Sequence, residues 1–202
     1  MENQITFTSI EISKNSEDVK SKRLPGDLAM WFFILAELSV FAIFFIGFAV
    51  AEQLNSEMFS TSKTLLHQSS GLINTLALIT SSYFVAIATF NIKAGRNKKT
   101  VTQLIVAQFF AIIYLVVKAW EYNSLFNADI DIETNTFFTL YFLITFFHFM
   151  HVLLGMVILL FMTVRASKGL YKENISGFES GASYWHMVDM LWIILFPLIY
   201  II

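Results

Sequence analysis

The sequence predicts an all-α protein, an integral membrane bundle of five transmembrane helices, and three observations support this prediction. Hydrophobic residues make up 56% of the 202 residues and include 22 Phe, which is more apolar surface than a soluble domain of this size needs. These residues fall into five blocks of about twenty, the length at which a helix crosses a hydrocarbon layer roughly 30 Å thick. Strands with open edges are excluded in lipid because their backbone groups would stay unpaired, so each block is expected to be a helix.

The chain divides into a polar tail and a membrane domain. Residues 1–23 are polar and of mixed charge, and they lack the apolar core of a secretory signal, so we expect a solvated cytoplasmic tail. Residues 24–202 contain no linker or internal repeat and are predicted to form a single transmembrane domain. Its helices are predicted at about 31–51, 70–92, 101–120, 137–164 and 183–202.

The positions of the Lys and Arg residues predict the orientation of these helices. All of the 13 cations except Lys63 and Lys118 fall in the tail, in the loop after the second helix or in the loop after the fourth. Short loops rich in cations lie on the cytoplasmic side of a membrane, so the N-terminus is predicted inside and the C-terminus outside. The cations form no basic stripe of the kind that binds nucleic acid, and no nucleic-acid partner is expected.

Glu37 is a carboxyl group about six residues inside the first predicted helix, where its neighbours are large and apolar. Burial there favours the neutral acid over the carboxylate. Three roles stay open at this stage: a hydrogen bond that fixes helix packing, proton exchange, or a contact with lipid.

His148 and His151 are three residues apart and therefore share one face of the fourth helix near mid-membrane. This spacing suits metal ligation, but a catalytic metal needs further ligands at the same depth. The other two histidines are His67, in a loop, and His186, near one end of the fifth helix. We therefore expect structural hydrogen bonds here, with no metal or haem bound by this chain.

His186 and Asp189 are three residues apart in the fifth helix. If the first and fifth helices touch, Asp189 and Glu37 share one region of low dielectric and their titrations are coupled. In the alternative arrangements His186 stabilises Asp189, or each residue bonds a neighbouring helix.

Polar residues of the second and third helices have structural interpretations. Lys118 lies near the end of the third helix, where its long stem can reach the interface or its amine can pair with Glu121. The second helix is suited to close packing and to hydrogen bonds between helices; its small and polar residues are Gly71, Asn74, Thr75, Ala77, Ser81 and Ser82.

The sequence contains no motif for a self-contained active site. It has no phosphate-binding loop, nucleophile elbow, HExxH or dinucleotide fingerprint, and without cysteine it has no thiolate nucleophile or iron–sulfur cluster. The residues therefore fit an accessory subunit better than a catalyst. A stand-alone transporter or proton channel that uses Glu37, His186 and Asp189, and a transient assembly factor, are the alternatives.

Five segments in order along residues 24–202 resemble subunit III of the haem–copper oxidase superfamily. The most specific is Tyr184-Trp185-His186-Met187-Val188-Asp189-Met190-Leu191-Trp192, which is similar to the family's YWHxxDxxW helix. The other four are Glu37 before a Phe-rich run, Asn74-Thr75 with Ser81-Ser82, Glu121-Tyr122, and His148 to Gly155, which is similar to HxxHVxxG. The lack of the first two of the family's seven helices is shared with the quinol-oxidase type and with the NorE type associated with nitric oxide reductase. Leu24-Pro25-Gly26 before the first helix and the C-terminal segment are most similar to the five-helix NorE type.

This resemblance implies a non-catalytic accessory subunit of a respiratory haem–copper complex in a bacterial inner membrane. Such a subunit supports the stability and proton uptake of a catalytic partner that carries haem, with or without copper. It binds neither group itself, although bound phospholipid is compatible with the family. The matched buried polar residues are Glu37, Asn74, Ser81, Ser82, Glu121, His148, His151, His186 and Asp189, and Glu37 is the one implied in lipid or proton contact.

Overall fold

The computed structural model of the chain describes residues 28–171 and 174–201, and every regular element within them is an α-helix. Five helices are long and apolar enough to cross a membrane, as predicted from the sequence. The predicted tail, residues 1–23, lies outside the described residues. The helices are α1 (Leu28–Leu54), α2 (Ser56–Lys63), α3 (Gln68–Lys93), α4 (Asn97–Phe126), α5 (Thr136–Ser167) and α6 (Ser176–Tyr200).

The four helices α3 to α6 form a ring in which each contacts the next, and α6 returns to α3. Helix α1 packs outside this ring against α5 and α6. It buries only Ile34, Phe41 and Phe48, which recur every seven residues and so form one narrow stripe. Most of the surface of α1 is therefore left to lipid or to a partner.

The two ends of the bundle differ in charge. At the end where α1 begins, the loop between α3 and α4 and the end of α5 carry basic residues, among them Arg96 and Arg165. At the opposite end, the loop after α4 carries Asp129, Asp131 and Glu133. We call these the basic end and the acidic end.

All five spans are longer than predicted, two of them by six or seven residues at one end, and one helix was not predicted. Helix α6 begins at Ser176 instead of about residue 183, since its first turns are rich in Ser and Gly and resemble a loop in sequence. There Gly181 packs directly against α5, and the Asn174 side chain accepts a hydrogen bond from the Ser176 backbone N–H, at 2.8 Å. Helix α4 runs on to Phe126, and Glu121 and Leu125 of this extension are buried.

The short helix α2 lies in the predicted loop between the first two spans. Its Phe59 is fully buried against Phe48 of α1 and Phe137 of α5, at ring-centroid distances of 5.3 Å each. Lys63 at its end pairs with Glu52 of α1. Helix α2 therefore covers the acidic end of the contact between α1 and α5.

Close contacts between spans depend on small residues, as expected for membrane helices. A Cβ atom at Gly155 of α5 would lie 2.7 Å from a ring atom of Trp185 on α6. One at Gly71 of α3 would lie 2.7 Å from the ring of Phe196. These two glycines let the wide aromatic rings of α6 lie directly on the backbones of its neighbours.

Candidate functional site

Glu37 pairs with His151, and this contact joins α1 to α5. The distance from Glu37 Oε2 to His151 Nε2 is 2.9 Å, and the side chains are 19% and 9% exposed. The His151 ring is packed by Phe41 of α1 and by Phe147 one turn earlier in α5, with centroid distances of 5.4 and 4.6 Å. The structure thus gives Glu37 a histidine partner within its own chain.

The tautomer of His151 follows from its second hydrogen bond. Its Nδ1 lies 2.7 Å from the backbone oxygen of Phe147, which can only accept, so Nδ1 carries a hydrogen and donates it. The other ring nitrogen then shares one proton with Glu37. Whether the acid donates to a neutral ring or the ring donates to a carboxylate, the pair carries no net charge, which suits its place within the membrane.

Among the described residues Asp189 makes no direct contact with Glu37, although α1 and α6 touch. Because α6 begins earlier than predicted, Asp189 lies thirteen residues from its start while Glu37 lies nine residues from the start of α1. Asp189 is 8% exposed, and its Oδ1 has no hydrogen-bond partner among the described residues. The described residues therefore show no direct contact that would couple Asp189 to Glu37.

His186 bonds α3 and does not bond Asp189. Its Nδ1 lies 2.6 Å from the Ser82 hydroxyl oxygen. One and a half turns further along α6, the Trp192 indole N–H donates to the Thr75 hydroxyl at 3.0 Å. The two bonds fix the register between α3 and α6. Ser81, the neighbour of Ser82, instead donates to the backbone oxygen of Ala107 on α4, at 2.8 Å.

Lys118 lies in a buried cluster of polar groups near the acidic end, so of its two expected arrangements the structure shows the pairing with Glu121 and not the reach to the interface. Its side chain is fully buried, as is that of Glu121, and the amine donates to Glu121 Oε2 at 2.9 Å. It also donates to the hydroxyls of Tyr141 on α5 and Tyr200 on α6, at 3.0 and 2.9 Å. The Tyr200 hydroxyl in turn donates to Glu121, so one ion pair joins three helices.

His148 has a different environment from His151, although both lie on one face of α5. It is fully buried, and its ring lies 5.8 Å from that of Tyr114 on α4 and 5.3 Å from that of Trp192 on α6. Neither ring nitrogen has a hydrogen-bond partner within the described chain, and the same holds for the Tyr114 hydroxyl and the Asn74 amide. Asn74 is also fully buried. The hydrogen bonds expected for His148 are therefore not made directly to protein groups.

These polar residues do not assemble into a metal centre. Within residues 28–171 and 174–201, no three His, Asp or Glu side chains come together in an arrangement that could hold a metal ion. His67 is at the N-cap position of α3 without a capping side-chain hydrogen bond, and its ring lies 5.4 Å from that of Trp120. These polar residues form hydrogen bonds between helices, and the bonds position the spans relative to one another.

Comparison with known proteins identifies the family. Residues 19–202 match the family described as cytochrome c oxidase subunit III. The chain belongs to the cytochrome c oxidase subunit III family. The predicted resemblance to subunit III is thus confirmed, the closeness to the NorE type stays a prediction, and the match includes every span and polar cluster described above.

Relatives of this subunit III-family chain differ in length. The chain is 27% identical over 208 residues to heme-copper oxidase subunit I+III of Aeropyrum pernix, covering 94% of this chain and 26% of that protein. It is 36% identical over 129 residues to cytochrome c oxidase subunit 3 of Arabidopsis thaliana, covering 63% and 48%. It is 23% identical over 204 residues to cytochrome bo(3) ubiquinol oxidase subunit 3 of Buchnera aphidicola, covering 100% and 98%. It therefore spans half or less of the first two relatives and nearly all of the third.

Sequence reasoning missed the aromatic partners of the buried polar groups. Tyr141 and Tyr200 hold Lys118, and Tyr114 lies against His148. Tyrosine is usually placed at the ends of spans, and Tyr114 near the middle of α4 is a signal that sequence analysis could have used.

Proposed function

We propose that this chain is a non-catalytic accessory subunit of a respiratory haem–copper oxidase complex. The observation that carries the proposal is the family match over residues 19–202. The relative from Aeropyrum pernix is named subunit I+III, which supports a partner that corresponds to subunit I. That partner carries the haem, with or without copper, and this chain packs against it.

The polar groups support a structural role for this chain within the complex. The buried ion pair and the Glu37–His151 pair each join different helices through hydrogen bonds, which gives the bundle a fixed shape for a partner to pack against. In this proposal a rigid subunit prolongs the activity of the catalytic partner and supports its proton uptake. Glu37 is partly exposed at the edge of the bundle, which supports a contact between the Glu37–His151 pair and a bound phospholipid.

The location and orientation follow from the same proposal. Relatives of similar length include oxidase subunits from Buchnera and from Staphylococcus saprophyticus, the latter a probable quinol oxidase subunit 3. We assign the chain to a bacterial inner membrane, with the basic end of the bundle in the cytoplasm. The C-terminal segment resembles the NorE type and the relatives are named oxidase subunits, so the proposal leaves both nitric oxide and oxygen open as the substrate that the partner reduces.

The test is purification of the tagged full-length chain from its own membranes in mild detergent. We expect a stoichiometric haem-bearing subunit in the purified complex, seen by its absorbance, and no haem on the chain expressed alone. Deletion of the chain should shorten the active lifetime of the enzyme, and comparing oxygen with nitric oxide consumption identifies the acceptor. A wild-type preparation without a haem-bearing partner contradicts the proposal. Proton flux through vesicles that hold this chain alone would favour the channel alternative.

A further inference from the structure

The Ser82 hydroxyl of α3 contacts two titratable side chains of α6. Its oxygen lies 2.6 Å from His186 Nδ1, and the same hydroxyl hydrogen-bonds the Asp189 carboxyl. Ser82 and Asp189 are buried, whereas His186 is partly exposed. Asp189 Oδ1 has no partner among residues 28–171 and 174–201, so the bond with Ser82 involves the other carboxyl oxygen. One hydroxyl group therefore connects a histidine at the surface of the bundle with a carboxyl group inside it.

The directions of these two hydrogen bonds depend on each other, because a hydroxyl group has a single hydrogen. A carboxylate at Asp189 can only accept, so Ser82 donates to it and must accept from a protonated His186 Nδ1. A neutral Asp189 can donate to Ser82, whose own hydrogen then bonds an unprotonated Nδ1. Both arrangements keep the contacts that the structure shows between α3 and α6.

A proton can pass through this arrangement without changing its net charge. When His186 is a cation and Asp189 a carboxylate, the Nδ1 proton moves to the Ser82 oxygen as the Ser82 hydrogen moves to the carboxylate. An N–H bond and an O–H bond break and two O–H bonds form, which leaves a neutral imidazole, an intact serine and a neutral acid. The charges sum to zero before and after the step, which suits a site inside a membrane.

A groove of about 230 Å³ leads from the basic end of the bundle to His186, on the outer surface between α3 and α6. We call it the α3–α6 groove; its lining residues are Ala86, Thr89, Lys93, Glu179, Ala182, Ser183 and His186. Lys93 and Glu179, the charged residues of this lining, pair at 2.7 Å. Hydroxyl and charged groups suit water better than lipid tails, so the groove offers protons a route from the basic end to the ring.

Titratable groups on the other helices that pack against α6 have partners of their own. Glu37 of α1 and His151 of α5 pair with each other. The His148 ring of α5 lies against aromatic rings of α4 and α6. On α3, Lys93 is held by Glu179 at the rim of the groove. Protonation at Ser82 and its two partners is therefore governed mainly by these three residues.

We propose that His186, Ser82 and Asp189 form a proton-binding site that takes up its proton through the α3–α6 groove. The Ser82 hydroxyl passes the proton between the ring and the carboxyl, so the two residues titrate in one shared step. Without the hydroxyl the two residues titrate separately. The site lies within this chain and goes beyond the proposed function, because it requires no partner subunit.

The first test follows both residues through a pH titration of the full-length chain in lipid nanodiscs. Infrared absorption of the neutral carboxyl, assigned by its loss in Asp189→Asn, reports Asp189. Nitrogen-15 resonances of the labelled ring, assigned by their loss in His186→Gln, report His186. In wild type both signals should change with one midpoint, and in Ser82→Ala the midpoints should separate by about one pH unit or more. Ser82→Thr, which keeps the hydroxyl, and Ser81→Ala, whose serine bonds Ala107 instead, should keep one midpoint.

Two different midpoints in wild type would overturn the proposal, and so would a single midpoint that persists in Ser82→Ala. The route is tested by the rate of deuterium exchange at the Asp189 carboxyl. Ala86→Leu fills the groove and should slow this exchange severalfold, whereas Ala42→Leu, at an exposed position of α1, should leave it unchanged. Equal rates in these two variants would overturn uptake through the groove.

Discussion

His151 Nε2 lies 2.9 Å from Glu37 Oε2, and this pair fastens the most exposed span, α1, to the ring of the other four. The two residues are 114 positions apart in the chain. The contact places a shared proton at the edge of the bundle, next to the lipid-facing surface of α1. The attachment of α1 to the other helices therefore depends on the hydrogen bond that the Glu37 carboxyl group makes.

Two replacements of Glu37 test how much its hydrogen bond with His151 stabilises the folded chain. In Glu37→Gln the amide can still donate to His151 Nε2, so we expect a loss of unfolding free energy below about 1 kcal/mol. In Glu37→Leu the ring nitrogen stays buried without a partner, and the expected loss is about 1–3 kcal/mol. Unfolding in a denaturing detergent titration measures both. Equal stability of Glu37→Leu and wild type would show that the pair does not hold α1.

An apolar carbodiimide tests whether the Glu37 carboxyl is a neutral acid that is reachable from lipid. It should modify wild type in membranes at Glu37 and leave Glu37→Gln unmodified there, as detected by mass spectrometry. If exposed carboxyl groups such as Glu57 react while Glu37 does not, the carboxyl is not a reachable neutral acid.

Removing Lys118 should destabilise the chain severely. Lys118→Met leaves the Glu121 carboxyl fully buried without its cation, and breaking a buried ion pair from one side costs about 3–5 kcal/mol. The double variant Lys118→Met with Glu121→Gln removes both charges and should recover most of this loss. The measurement is a double-mutant cycle of unfolding free energies. Additive losses from the two single variants would show that the residues do not act as a pair.

Two glycines offer a matched test of helix packing. Gly155→Ala should cost about 1–3 kcal/mol, because the added methyl group meets the rigid ring of Trp185. Gly47→Ala, with no atom within 4 Å of the new Cβ, should be neutral or stabilising by up to about 1 kcal/mol. Thermal unfolding of the purified variants in one detergent compares them. An equal effect at both sites would contradict the close contact between α5 and α6.

The absence of cysteine makes the orientation directly measurable. Ala94→Cys at the basic end and Asn127→Cys at the acidic end are both in exposed loop positions. An impermeant maleimide added to intact spheroplasts should label position 127, and position 94 should react only after the membrane is opened. The reverse labelling pattern would invert the proposed topology.

Local sequence signals predicted where the five spans lie more accurately than the residues at which each helix begins and ends. Blocks of apolar residues located all five helices because each must cross the same hydrocarbon thickness. The start of α6 was misplaced because Ser176, Gly177 and Ser180 have loop-like composition, and packing against α5 is what makes them helical. Helix α2 was missed because only its burial under Phe48 and Phe137 favours it.

In the candidate site, too, the sequence identified the residues of interest, whereas the structure was needed to identify most of their partners. The YWHxxDxxW and HxxHVxxG segments identified the family and the residues of interest, since such motifs are contained in single stretches of chain. The pairings were a different matter: Glu37 with His151, His186 with Ser82, and Lys118 with two tyrosines. Only the Lys118–Glu121 contact was anticipated, because three residues on one helix place both side chains together.

The sequence by itself therefore determined that the chain has five membrane-spanning helices and to which family they belong. The tertiary structure decided which polar groups meet and which face of each span is buried. The physical reason is that these helices are apolar toward lipid and toward each other, so no amphipathic pattern encodes their rotation. Rotation and register are set by glycine contacts and by a few buried hydrogen bonds, and these exist only once the helices have packed.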